Sequence, residues 1–234
     1  MNHQIYDNCL HKFNNGGSDV LLFLRGLGTR TKNYESLINL LANNFEVIVP
    51  TTSKMKNYSG QPKSIDEYIE RLQELCTTHN IEPKYVFGHS LGGHITLKEP
   101  FNTKKNIAVS PIVPVNYGLT KFLLMAGYQG AKMSINSPDK IKGLEVASSI
   151  LKKVTFYLPE IVKFVHSLCE YDYNFKPKSP SLVIEALNDE FFPASEESKK
   201  LFQHKNIIYK TVPRNHAWPI FYPEEVYEEI KSFF

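Results

Sequence analysis

The 234 residues carry 42% hydrophobic and 22% charged side chains and a net charge of +3, the balance of a soluble globular chain of one large domain. Arg25, Arg30, Arg71 and Arg214 are the sole arginines among 27 basic residues, which together with the low charge excludes a nucleic-acid binder built on guanidinium forks. Cys9, Cys76 and Cys169 fit reduced thiols rather than a disulfide framework. Met1 to Phe13 shows no apolar leader and no apolar run is long enough to span a bilayer, so a cytoplasmic chain is expected.

Val20 to Leu24 is a short apolar run that reads as a strand buried on both faces, ending in Arg25-Gly26-Leu27-Gly28. Before it, residues Asn2 to Asn15 leave room for short strands only. Tyr34 to Asn43 spaces Leu37, Leu40 and Leu41 as a helix. Phe45 to Pro50 is the next strand. Ser64 to His79 is a helix with Ser64 as N-cap, Glu67 completing a capping box, and an apolar stripe from Ile65 to Leu75. Lys84 to Gly88 is a strand and the chain turns helical from Leu91. Strands follow at Asn106 to Ser110, Ser181 to Leu187 and Ile207 to Val212, with helices at Ala194 to Phe202 and from Pro223. This alternation predicts an α/β chain with a doubly wound, mostly parallel sheet.

Residues 111–180 interrupt the alternation and are too long for a connection in a compact domain. Three amphipathic stretches, Thr120 to Gln129, Lys140 to Lys153 and Pro159 to Glu170, predict an inserted helical cap over a core formed by 1–110 and 181–234. The insert holds nine lysines and five acids. Its lysines favour a peripheral anionic lipid contact only weakly, because such a helical face is more often simply solvated.

Gly88-His89-Ser90-Leu91-Gly92 follows a strand and opens a helix, the context in which a G-x-S-x-G serine is exposed on a sharp turn. A serine hydroxyl is a weak nucleophile and needs a base. Asp189, after the strand at Ser181 to Leu187, and His216, after the strand at Ile207 to Val212, lie at carboxyl ends of strands in the chain order acid then base. Ser90, His216 and Asp189 are therefore the candidate catalytic residues. Glu190 and Asp172 are rivals for the acid. His89 and His94 flank Ser90 without an expected chemical role, and no histidine spacing suggests a metal.

On these residues the chain resembles the α/β-hydrolase superfamily, in particular its small capped carboxylesterase and lipase-like members. GHSLGG at Gly88 to Gly93, the turn Asn188-Asp189 and Asn215-His216 carry the likeness. The resemblance implies that the glycine loop Gly26-Leu27-Gly28 supplies an oxyanion hole from the backbone N–H groups of Leu27 and Leu91. It further implies a serine ester hydrolase working through an acyl-enzyme, with no cofactor and with a small-molecule ester as partner. Two places depart from the pattern: Arg25-Gly26 stands where relatives carry His-Gly, and Thr51 to Lys56 replaces an Asp-x-x-Gly-x-Gly stretch. Phe122, Met125, Tyr128 and Phe156 of the insert, with Trp218, are candidates to line an apolar acyl or aromatic pocket. The alternatives are a hydrolase-fold binding protein with a vestigial triad, or an acyltransferase or carbon–carbon hydrolase using the same residues.

Overall fold

A computed structural model describes residues 2–6, 8–58, 60–113, 137–170 and 173–234. Eight strands form one sheet: β1 (Asn2–Tyr6), β2 (Leu10–Asn14), β3 (Asp19–Leu24), β4 (Phe45–Pro50), β5 (Tyr85–His89), β6 (Lys105–Val109), β7 (Ser181–Ala186) and β8 (Ile207–Val212). Their spatial order is β1-β2-β4-β3-β5-β6-β7-β8. β1 and β2 form a hairpin that joins β4 antiparallel; every pairing from β4 through β3 to β8 is parallel. The mostly parallel sheet expected from the alternation is the architecture observed, with eight strands.

Strand alternation sorts the core into two layers. Leu21 and Phe23 of β3, Val47 and Val49 of β4, and Ile107 and Val109 of β6 face α1 (Glu35–Ala42) and the C-terminal helices. Leu22 and Leu24 of β3, with Ile48 and Val86, face α2 (Ile65–Thr78) and α3 (Leu91–Leu97). Both faces are covered, which is why these strands read as unbroken apolar runs.

Between β6 and β7 lie α4 (Lys140–Phe156) and α5 (Leu158–Cys169). They seat on opposite layers. Val146 of α4 joins the core beneath Trp218 and Ala217, whereas Ile161, Phe164 and Val165 of α5 pack into the layer of α2 and α3. The expected helix at Thr120 to Gln129, with Phe122, Met125 and Tyr128, lies outside the described residues. Beyond β7 come α6 (Glu196–Leu201), α7 (Trp218–Phe221) and α8 (Pro223–Lys231); the single turn of α7 was not expected. No helix among the described residues is long and apolar enough to cross a membrane.

The start of α2 shows how local chemistry holds the divergent loop after β4. Ser64 Oγ accepts the Glu67 N–H at 3.1 Å, as the sequence predicts, but the Glu67 carboxylate reaches one residue further and accepts the Lys63 N–H at 2.7 Å. One turn on, Arg71 is 1% exposed. It pairs with Glu67, donates to the carbonyls of Gly60 at 2.9 Å and Thr52 at 3.4 Å, and lies 4.3 Å from the centre of the Tyr58 ring. Replacing Arg71 with Met leaves these acceptors unpaired and should cost about 3 kcal/mol. Thermal denaturation is expected to show a midpoint lowered by roughly 6–12 °C for a chain of this size, with new proteolytic cleavage between residues 52 and 60.

Candidate active site

The site grows from the junction of β5 and α3. Ser90 sits at φ 57°, ψ −117°, a left-handed conformation that costs a non-glycine residue about 1–3 kcal/mol. Backbone bonds hold it there. Its N–H donates to the Val109 carbonyl at 3.0 Å, and its carbonyl accepts from His94 N–H at 3.0 Å and Ile112 N–H at 3.1 Å. The turn is tight enough to need glycine on both sides. A Cβ on Gly88 would stand 2.1 Å from the Gly92 carbonyl oxygen, and one on Gly92 would stand 2.1 Å from that of Leu24.

Three loops then meet. Ser90 Oγ is 2.9 Å from His216 Nε2, and His216 Nδ1 is 2.6 Å from Asp189 Oδ2. A carboxylate accepts, so Nδ1 carries the proton and Nε2 is left to accept from the serine hydroxyl. The second oxygen of Asp189 accepts the N–H groups of Phe191 and Phe192, both at 2.8 Å. All three side chains belong to buried residues. Glu190, the rival acid, is placed differently: its carboxylate accepts the backbone N–H of His216 at 3.1 Å. Asp172 lies outside the described residues.

The glycine loop after β3 is fastened at the carbonyls of Gly26 and Gly28. Gly26 O accepts from Thr29 N–H at 3.3 Å and Thr29 Oγ1 at 2.7 Å, and Ser149 of α4 reaches Gly28 O at 3.3 Å. The amides of Leu27 and Leu91 have no acceptor among the described residues. Arg25 resolves both departures from the family pattern at once. Its guanidinium donates to Thr29 O at 3.0 Å, to Pro50 O at 2.9 Å and to Thr51 Oγ1 at 3.0 Å, tying the glycine loop to the loop after β4. Burial lowers its pKa, and the Tyr68 and Tyr34 hydroxyls oppose that.

The two flanking histidines are neutral core residues. Burial holds both His89 and His94 down to about 3, with the neighbouring His216 adding to the effect at His89. His94 Nδ1 bonds the Ile112 carbonyl at 3.1 Å. A further buried group was missed in the sequence: Glu185, the lone acid in the apolar run of β7, accepts from Ser198 at 2.9 Å and Tyr209 at 2.6 Å. Burial raises its carboxyl pKa, and Asp189 adds to that. Among the described residues no cluster of three His, Cys, Asp or Glu side chains is placed to hold a metal ion.

Two expected pocket residues are elsewhere. Phe156 is 80% exposed at the end of α4, and Trp218 is 1% exposed within the core, with no open surface to offer a ligand. Aromatic type alone does not separate a pocket wall from core or surface. Leu27 and Leu91 belong to the core layer of α2 and α3, which also holds Met55, Ile112, Ile161 and Phe192.

The comparisons agree with this architecture. The chain superposes on a thermophilic esterase from Thermogutta terrifontis with a TM-score of 0.72 at 16% identity, covering 96% of this chain and 91% of that one. An enol-lactonase from Burkholderia xenovorans LB400 gives 0.77 at 14% identity, covering 99% of each chain. MenH from S. aureus gives 0.72 at 16% identity, covering 96% of each. The fold is that of the α/β-hydrolases. In sequence, the chain is 33% identical over 115 residues to the magnesium-chelatase 30 kDa subunit of Rhodobacter capsulatus. That stretch is 46% of this chain and 38% of the other, so the chain spans well under half of the curated relative it matches. No protein-family model matches the sequence.

The buried neutral histidines make the α/β-hydrolase core acid-sensitive. Their folded pKa of about 3 lies below the ordinary 6.5, so between these values the unfolded chain binds protons that the folded chain refuses. Stability is full above pH 6.5 and is lost as pH falls, approaching about 2.7 kcal/mol per pH unit for the two together. Urea midpoints measured from pH 7 to pH 4 should fall steeply, and His94→Asn, which keeps a donor for Ile112 O, should roughly halve the slope.

Proposed function

We propose that this chain is a serine hydrolase that cleaves carboxylic esters through an acyl-enzyme, with Ser90 as nucleophile, His216 as general base and Asp189 as its orienting carboxylate. The observation that carries the reading is the unbroken hydrogen-bonded run Asp189–His216–Ser90, buried, at a strained strand-to-helix turn. Strain at a serine that already bonds an imidazole is what an activated hydroxyl needs and what a surface serine lacks.

In the forward step His216 Nε2 takes the Ser90 hydroxyl proton as Oγ bonds the ester carbonyl carbon. The carbonyl π electrons move to oxygen, and the amides of Leu27 and Leu91 donate to that oxyanion. Collapse expels the alcohol, which takes the proton from His216, and leaves Ser90 acylated. Water then repeats the sequence, giving the carboxylic acid and free Ser90. Asp189 keeps the proton on Nδ1 and stabilises the imidazolium without becoming protonated itself. An esterase and an enol-lactonase among the structural neighbours support ester chemistry. The ester we propose carries a small apolar acyl or aromatic group.

A fluorophosphonate probe should label the wild type at Ser90 and leave Ser90→Ala unlabelled. Hydrolysis of p-nitrophenyl esters should fall by at least about 10³-fold in Ser90→Ala and in His216→Ala, with no further loss in the double variant, because residues that act as a unit are non-additive. Rates across acyl chains from acetyl to dodecanoyl should peak at short to medium length. A wild type that neither labels nor hydrolyses any of these esters overturns the assignment.

A further inference from the structure

The run Asp189–His216–Ser90 fixes the side chain of His216, but a base is placed by its backbone as well. The His216 peptide is gripped on both edges. Its N–H donates to Glu190 at 3.1 Å, and its carbonyl lies 2.9 Å from His89 Nε2. A carbonyl can only accept, so Nε2 of His89 carries the proton. The neutral ring then presents Nδ1 as an acceptor, and the Tyr34 hydroxyl, 2.6 Å away, donates to it. The Tyr34 oxygen in turn accepts the Gly26 N–H at 3.2 Å. One directed run of bonds therefore leads from the peptide just before Leu27 to the backbone of His216.

Its surroundings make the run rigid. Tyr34 is 1% and His89 2% exposed, so water cannot replace a lost partner. The rings pack edge-on at 5.7 Å, Phe23 covers the Tyr34 ring at 5.3 Å, and the His89 and His216 ring centres are 5.1 Å apart. Gly26 leaves the run its space: a Cβ there would crowd Tyr34 Oη at 3.1 Å, His89 Nδ1 at 3.3 Å and Ser90 Cβ at 3.3 Å.

We propose that Tyr34 and His89 are positioning residues for the reaction, coupling the oxyanion loop to the backbone of the general base. The proposal rests on the serine-hydrolase reading given above. Neither side chain touches the reacting atoms. Their bonds end on the two peptides whose placement sets the Ser90–His216 distance and the direction of the Leu27 amide. The neutral tautomer on which the run depends persists wherever His216 can act as a base, since burial keeps His89 unprotonated down to about pH 3.

Three variants test this. Tyr34→Phe removes the donor to His89 and the acceptor for Gly26. His89→Leu removes both ring bonds. His89→Gln keeps an N–H donor and an oxygen acceptor at similar reach. In the folded fraction, Tyr34→Phe and His89→Leu should lower kcat about 10- to 100-fold with KM within about threefold of wild type, the size expected of a small misplacement of reacting groups. A tetrahedral boronate should bind more weakly by the same factor. His89→Gln should recover most of the loss, and the double variant Tyr34→Phe/His89→Leu should be no worse than its poorer single. Folded Tyr34→Phe and His89→Leu with kcat within twofold of wild type, or losses that simply add, overturn the proposal.

A readout without turnover separates this failure from failure of the hydrolase reading. The low-field His216 Nδ1 proton in the NMR spectrum of the free protein should shift or broaden in Tyr34→Phe and His89→Leu and return in His89→Gln. An active wild type with variants unchanged in rate and resonance overturns the coupling alone. An inactive wild type whose resonance still responds overturns the ester-hydrolase reading and leaves the coupling standing. An inactive wild type with an unmoved resonance overturns both.

Discussion

The left-handed turn at Ser90 is the constraint on which the rest of the site depends. A serine at φ 57° persists only where its surroundings leave no alternative, and here they do so by proximity. α3 approaches β3 so closely that Gly92 lies against the Leu24 carbonyl, while Gly88 lies against Gly92. This approach follows from the parallel pairing of β3, β5 and β6, whose alternating residues bury Leu24 in the layer that holds Leu91 of α3, and Phe23 and Phe87 in the other. The sheet therefore holds strain at Ser90 and offsets it through the burial of many side chains.

The remaining parts converge on that turn from elements that do not touch it directly. Arg25 bridges the glycine loop and the loop after β4, and Arg71 holds the far side of the same loop. From the stretch between β6 and β7, α4 bonds Gly28 through Ser149 and the Ile220 carbonyl of α7 through Lys142 at 2.7 Å. One helix thus braces both the glycine loop and the segment that follows His216. A displacement of α4 would therefore alter both at once.

Much of this was legible in the sequence wherever the signal was local. Apolar runs ending in glycine or in Asn-Asp and Asn-His turns place Ser90, Asp189 and His216 at strand ends, and the structure brings them into one hydrogen-bonded run. The parallel sheet follows from the same alternation. Contacts between distant residues were not legible. Tyr34 and His89 are separated by 55 residues, and neither stands out: one is an aromatic at a helix start, the other the variable position of a motif. Arg25 and Thr51 looked like two independent departures and are partners. Trp218 and Phe156 were expected to face a ligand because large aromatics serve cores, surfaces and pockets alike, and residue type carries no burial direction. The capping box at Ser64 was half right, since Glu67 has two N–H groups within reach and takes that of Lys63.

The distribution of charge around the turn has a logic of its own. In the proposed reaction His216 becomes an imidazolium, and a positive charge on His89, with ring centres 5.1 Å apart, would oppose it. At that separation, with an effective dielectric near 20, the repulsion is about 3 kcal/mol, enough to slow proton abstraction by about two orders of magnitude. Burial removes that charge by making His89 a neutral hydrogen-bonding link. Arg25, a permanent cation, is bound instead to the carbonyls of Thr29 and Pro50 and to Thr51, away from the imidazole pair. In the proposed reaction, positive charge is thus kept off the ring next to the base, which favours proton transfer to His216.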